Sequence, residues 1–245
     1  MPRRFTEAQV VSIQNLAPKV KSFSLKVEDE EKRNFKPGQF ITLDLPVGTK
    51  RLDRWKSYSL ANAPEASDTF ELCIVRMPDG KGTEYLFEEL KEGESLSFKG
   101  PEGSFVLPND LDREIVLICT GTGVAPFKSM IDHVFLKKIP YKNIHLIFGT
   151  RTMEDVLYRE AFEKYAREDS RFEYSICLSR EEASEDWPAH IHSGYVHQVY
   201  ENNYTQTEDT RLFMLCGWSQ MIDDAVVRLQ NMGYSNQQIS FELYG

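Results

Sequence analysis

Two hydrophobic periods divide the chain. Up to about residue 108, short stretches alternate apolar and polar positions: FITLDL (40–45), FELCIVR (70–76) and SLSFK (95–99). Turn signals separate them at Pro37-Gly38, Pro46 to Gly48, Pro78 to Gly80 and Gly93. A period of two with regular punctuation predicts half-buried strands, and their spacing predicts a closed antiparallel β-barrel.

Beyond the polar segment PNDLDRE (108–114) the period changes. IVLIC (115–119) and IHLIF (144–148) are continuous β-rich runs, as strands covered on both faces should be. Between them Phe127, Met130, Ile131, Val134 and Phe135 recur at helical spacing. The alternation continues through RFEYSICL (171–178) and RLFMLC (211–216), then a helix marked by Met221, Ile222, Ala225, Val226 and Leu229 with Gly233 as its stop, and a last strand, ISFEL. This predicts a doubly wound α/β domain with a parallel sheet. The expected division is a barrel over residues 1–109 and an α/β domain over 110–245.

Composition narrows the function classes. With 41% hydrophobic and 27% charged residues in 245, neither a disordered nor a fibrous class fits. A formal charge of -9 argues against nucleic acid as the main partner. No apolar run is long enough for a membrane helix, and MPRRFTEAQV lacks the apolar stretch of a secretory signal, so a cytoplasmic address is expected. Cys73, Cys119, Cys177 and Cys216 lie far apart with no CxxC, which reads as buried thiols without a metal. His190, His192 and His197 have metal-like spacing but no fourth ligand and are read as surface histidines.

CTGTGVAPF (119–127) ends a predicted strand and opens a predicted helix. Gly121 and Gly123 permit backbone angles closed to other residues, and the helix start offers amides to a phosphate. Pro126 suits the first helical turn, and it stands where a full GxGxxG would place its last glycine. The bland alternative for the segment alone is a tight strand-to-helix turn of any α/β protein. The barrel half has a second such turn, GKGTEYLFEEL (80–90), in which Thr83 is either a helix cap or a phosphate ligand. Two candidate anion cradles, one per half, suit a chain using both a flavin dinucleotide and NAD(P)H.

These motifs, in order, carry a resemblance. FKPGQFITLDL, KSYSLANAP (56–64), GKGTEYL, GPEGSF (100–105), CTGTGVAP, FGTR (148–151), LSRE (178–181), CGW (216–218) and a near-terminal aromatic follow the order found in the ferredoxin–NADP reductase superfamily, which the whole chain resembles. The flavin motif of that family, RxYS, has Lys56 in place of arginine, which keeps the charge and loses the planar fork, unless Arg54 helps. No iron–sulfur segment accompanies the motifs, so the resemblance implies a stand-alone reductase with a separate acceptor.

The resemblance implies roles. Tyr58 would pack on the isoalloxazine ring and Ser59 would hydrogen-bond near flavin N5. Lys56, Gly82 and Thr83 would hold the flavin phosphates, with Ser57, Ile74, Val75 and Arg76 completing the flavin-binding set. Thr120, Gly121, Thr122, Gly123 and Pro126 would bind the nicotinamide dinucleotide's pyrophosphate, and Cys216 and Gly217 would flank the nicotinamide. Tyr244 either covers the flavin face or anchors the last strand; Glu242 either relays a proton or is a surface carboxylate. Ser59, Cys216 and Tyr244 are the implied catalytic set. Arg151, Ser179 and Arg180 lie where NADPH users bind the 2'-phosphate, which favours NADPH over NADH, although a further basic residue common in NADPH users is replaced around Tyr195. FAD is favoured over FMN. The implied acceptor is ferredoxin, flavodoxin or an oxygenase component, and Lys19, Lys21, Lys26, Arg51, Arg54 and Lys56 give the barrel a candidate basic face for it, against the alternative that they are only solubilising. A free-flavin reductase and a non-catalytic electron-transfer or redox-sensing subunit are the alternatives.

Overall fold

In the computed structural model, which describes residues 5–64 and 66–244, the chain groups into two units. The first contains residues up to Leu107 together with Ala125–Lys137, and the second contains Pro108–Val124 with the residues from Lys138 onward.

The first unit is built from β1 (Thr6–Ala17), β2 (Val20–Lys26), β3 (Phe40–Asp44), β4 (Trp55–Ser59), β5 (Thr69–Val75) and β6 (Ser95–Glu102). They pair antiparallel in the order β4-β3-β6-β1-β2-β5. A single bridge, Leu60 to Leu72, and the Ala61 N–H to Glu71 carbonyl bond of 2.8 Å join the two end strands, closing the ring. Alternation explains the interior: Phe23, Leu25, Ile41, Leu43, Phe70, Leu72 and Phe98 all point inward and are completely buried. Each contributes about 1.5–3 kcal/mol of hydrophobic stabilisation, and the rings of Phe70 and Phe98 meet edge-on at 5.5 Å.

One-turn helices α1 (Glu30–Arg33), α2 (Arg51–Arg54) and α3 (Lys81–Glu84) sit in the connections, and a π-helical turn, Tyr85–Glu89, follows α3. The long helix α4 (Val124–Lys137) lies against this unit, although its sequence belongs to the α/β stretch. Phe127 meets Phe105 at 5.8 Å. At Gly38, φ is +101°, and a Cβ there would come within 2.5 Å of Met130 Cε and 2.3 Å of the Phe105 carbonyl, so the Pro37-Gly38 turn must be glycine.

The second unit is an all-parallel sheet of β7 (Glu114–Thr120), β8 (Asn143–Thr150), β9 (Phe172–Leu178), β10 (Ile191–Ser193), β11 (Leu212–Trp218) and β12 (Ile239–Tyr244), in the order β10-β9-β8-β7-β11-β12. Helices α5 (Arg159–Glu168), α6 (Val196–Asn203) and α7 (Ser219–Asn231) accompany it. α7 buries Ile222, Ala225 and Leu229, and ends where Gly233 takes φ +98° and the Tyr234 N–H returns to the Leu229 carbonyl. The edge strand β12 leaves Phe241 and Leu243 about half exposed.

Chain order runs outward from β7 in both directions. This makes the carboxyl ends of β7 and β11 the topological switch point, where open α/β sheets bind ligands. Deeper in the same sheet, His145 is buried with Nδ1 2.6 Å from the Tyr204 hydroxyl and Nε2 2.9 Å from Ser175 Oγ. Every strand and helix anticipated above is present, with boundaries moved by one to three residues.

Candidate functional site

In the first unit, β4 carries the KSYS motif. Alternation puts Lys56 and Tyr58, paired with Leu43 and Ile41, on one face, and Ser57 and Ser59 on the other. Tyr58 is half-buried against the barrel core, and that burial raises its phenol pKa, so it presents a neutral aromatic ring. Ser57 Oγ shares a hydrogen bond of 2.9 Å with Thr42 Oγ1. Ser59 is only 4% exposed, paired with Phe40, so strand alternation separates its side chain from the face that presents Tyr58.

The GKGTEYL loop lies beside Lys56. A Cβ built on Gly82 would come 3.4 Å from Lys56 Cγ and 3.1 Å from Leu45 Cδ1, so the glycine lets the buried turn pack directly on the lysine stem. The Lys56 ammonium donates to the Leu52 carbonyl at 2.9 Å. Thr83 is engaged by its own turn: its hydroxyl accepts from the Met77 N–H at 3.1 Å and donates to the Gly80 carbonyl at 3.0 Å. It acts as a local brace within the loop. Arg54 is committed elsewhere, in a two-pronged ion pair with Asp44 at 2.8 and 2.7 Å. Ile74 points into the core at 2% exposure, so it offers a ligand its backbone alone. Val75 is half-buried, and Arg76 pairs with Glu88 at 2.7 Å.

In the second unit, the switch point gathers the residues expected from the sequence to bind a dinucleotide. Thr120 ends β7, and Gly121–Gly123 forms a 3-10 turn leading into α4, with Pro126 in that helix's first turn. Gly121 has φ +53°, and a Cβ there would meet nothing within 4 Å, so bare backbone faces open space, as a phosphate cradle requires. Gly123 serves packing instead: a Cβ would lie 2.4 Å from the Cys216 carbonyl oxygen. At Gly217, φ is +136° and a Cβ would lie 2.5 Å from Thr120 Oγ1. The Thr120 hydroxyl accepts from the Trp218 N–H at 3.3 Å, tying the two strand ends together.

Cys216 is buried, and Tyr244 reaches it. Burial, reinforced by the Glu242 carboxylate, raises the thiol pKa well above its usual value, while the Tyr244 hydroxyl and the Gly217 N–H act in the opposite sense. The thiol therefore stays protonated at neutral pH. Tyr244 is the last residue of β12, in register with Trp218.

At the neighbouring strand ends, the Ser179 N–H and hydroxyl both donate to the Thr150 carbonyl, at 3.0 and 3.2 Å, and the Arg180 N–H donates to the Arg151 carbonyl at 2.9 Å. Arg151 and Arg180 are thereby brought side by side on exposed backbone. Tyr195, 63% exposed, stacks on His197 at 5.8 Å and 12°. The three histidines expected on the surface are half-buried: His190 stacks on Tyr174 and lies 3.3 Å from Glu163. All four cysteines are buried and free. Among the described residues no helix is long and apolar enough to cross a membrane.

Sequence reasoning missed the polar residues that hold these segments in place, Asn62, Lys128 and Ser129. Asn62 lies within the quoted KSYSLANAP, but nothing in the one-dimensional pattern joins it to the other two.

Residues 7–107 match the family described as Oxidoreductase FAD-binding domain, and residues 117–226 match Oxidoreductase NAD-binding domain. The chain is 35% identical over 174 residues to Ferredoxin--NADP reductase B of Sorangium cellulosum, covering 71% of this chain and 70% of that protein. It is 30% identical over 211 residues to the anthranilate 1,2-dioxygenase electron transfer component of Acinetobacter baylyi, covering 86% of this chain and 58% of that protein. The fold matches a ferredoxin NADP+ reductase from Neisseria gonorrhoeae, crystallised with FAD and NADP, at a TM-score of 0.82 and 24% identity, covering 98% of each chain.

Proposed function

The chain belongs to the ferredoxin–NADP reductase superfamily, and from that premise we propose that it takes a hydride from NADPH onto bound FAD and passes the electrons to a separate acceptor, a ferredoxin, a flavodoxin or an oxygenase component. The reading rests chiefly on the open Gly121 backbone at the switch point, a cradle that no side chain fills. Flavin-binding falls to residues 1–109 and NAD(P)-binding to 110–245, with α4 lending its contacts to the former.

The bound flavin would supply the two-electron to one-electron conversion; the chain's residues bind and orient. Tyr58 offers its ring as a stacking platform, and Lys56 with the Gly82 backbone neutralises phosphate charge. Ser57, Ile74, Val75 and Arg76 would complete that site, and Ser59, whose side chain is turned away from the Tyr58 face, would contribute through its backbone. Thr120, Gly121, Thr122 and Gly123 present backbone to the dinucleotide's pyrophosphate, with Pro126 holding the first turn of α4. Cys216 would hold a neutral thiol against Gly217, with the Tyr244 hydroxyl acting on it electrostatically.

Arg151 and Arg180, with Ser179 setting the turn, favour the 2'-phosphate and so NADPH. A charge-assisted hydrogen bond is worth about 1.5–3 kcal/mol. Arg180→Ala is therefore expected to cut the ratio of kcat/KM for NADPH over NADH by roughly tenfold or more, and an unchanged ratio removes the arginine from this role. Lysine in place of the family's arginine favours a second reading, a free-flavin reductase. A purified chain that is yellow, with stoichiometric FAD bleached by anaerobic NADPH, supports the first reading; a colourless chain that turns over added flavin supports the second.

A further inference from the structure

α4 starts at the Thr120–Gly123 turn, yet its middle is fastened to the segment that follows Tyr58 and Ser59. Ser129 is completely buried, and its hydroxyl donates to the Asn62 carbonyl at 2.6 Å. Lys128 donates to the Ala61 carbonyl at 3.3 Å and to Asp132 Oδ2 at 2.7 Å, with Glu71 Oε2 at 3.6 Å. Burial opposes the lysine's charge, but the Asp132 and Glu71 carboxylates outweigh it, and the amine stays charged.

The barrel side of this node is equally bound. The Asn62 amide donates to the Thr69 carbonyl at 2.8 Å and its side-chain oxygen accepts from the Glu71 N–H at 2.8 Å. Residues 60–62 are also where the ring closes, through the Leu60 to Leu72 bridge. Apolar side chains would hold a helix here without fixing its register, whereas hydrogen bonds weaken steeply once geometry slips. A buried ion cluster adds little net stability over apolar packing, so its presence points to a demand for alignment.

We propose that Lys128 and Ser129 are positioning residues that carry nucleotide occupancy of the Thr120–Gly123 turn along the start of α4 to residues 59–62, aligning the flavin-facing strand for hydride transfer. The lever is short: five or six residues of helix span roughly 8–9 Å. This inference rests on the functional reading above. A ligand shifts such an element only if it binds its two positions unequally, so the coupling must show in the bound flavin's own signal when nucleotide arrives.

The test uses the full chain loaded with FAD and titrated with oxidised NADP+, so that no turnover occurs, with the flavin absorbance difference spectrum as the readout. Ser129→Ala and Lys128→Met are expected to keep their FAD, to lose at least half of the difference-spectrum amplitude, and to slow single-turnover reduction by NADPH about tenfold while KM changes less than threefold. Lys128→Arg, which retains the charge, is expected to recover most of both signals. Wild-type amplitude and rate in Ser129→Ala and Lys128→Met overturn the coupling, as does equal impairment in Lys128→Met and Lys128→Arg. Should Ser129→Ala fail to fold, the two Lys128 variants decide. A wild-type chain that binds no FAD, or whose FAD ignores nucleotide, overturns the functional reading itself, and is recognised before any variant is made.

Discussion

The two turns proposed to hold anions are built by different means. At Gly82–Thr83 the threonine is spent on its own loop, and Lys81 in the turn and Lys56 beside it carry the charge. At Thr120–Gly123 there is no charged side chain; an open backbone precedes a 14-residue helix, and the surrounding glycines exist because two strand ends come together too closely for any Cβ. The first turn depends on chemistry that substitution can tune, and the second on geometry that it can only break.

The largest effect should follow Gly217→Ala. A Cβ at φ +136°, 2.5 Å from Thr120 Oγ1 and 2.9 Å from the Thr120 carbonyl oxygen, combines backbone strain with overpacking. A loss of about 3 kcal/mol or more is expected in urea unfolding; a loss under about 1 kcal/mol would show that the strand ends part easily.

Acid should separate the units next. Burial lowers the His145 pKa from 6.5 to about 4, so the unfolded chain takes up the proton first. The sign follows: this contribution is intact above about pH 6.5 and is lost as pH falls towards about 4, amounting to roughly 3 kcal/mol. The imidazole lies in the nucleotide-binding sheet, so that unit should weaken first. His145→Gln should flatten the urea midpoint between pH 6.5 and 4.5, and a parallel profile would place the acid sensitivity elsewhere.

Thr83→Val removes two turn-internal hydrogen bonds and should cost about 1–2 kcal/mol, with faster FAD dissociation. If FAD is lost with stability unchanged, the hydroxyl binds phosphate directly and the contrast between the turns narrows. Gly121→Ala should be mildest, about 1 kcal/mol for the left-handed backbone alone. Its signature is a several-fold rise in KM for NADPH; an unaltered KM would mean that phosphate does not approach this backbone.

Much of this organisation was legible in the residues. The change of hydrophobic period near residue 110 located both sheets, because strands buried on one face and on two leave different patterns. The amphipathic stripe from Phe127 to Phe135 marked α4 but not what it packs against, since an apolar stripe is the same against either unit. Lys128 and Ser129 fall off that stripe and read as ordinary polar positions. β1 was not singled out because irregular pairing between Val10 and Ser12 and between Asn15 and Ala17 breaks its alternation. The site motifs announced their turns; which of their atoms are already spoken for, as at Thr83 and Arg54, depends on contacts no linear spacing encodes.

A ring of strands offers nothing to a passing chain, but an open sheet offers its outermost backbone. On one side of the parallel sheet that strand is only three residues long; on the other it is Ile239–Tyr244, with Phe241 and Leu243 half uncovered. In concentrated solution, intermolecular strand addition should begin along these six residues, and it would draw in Tyr244, the last of them.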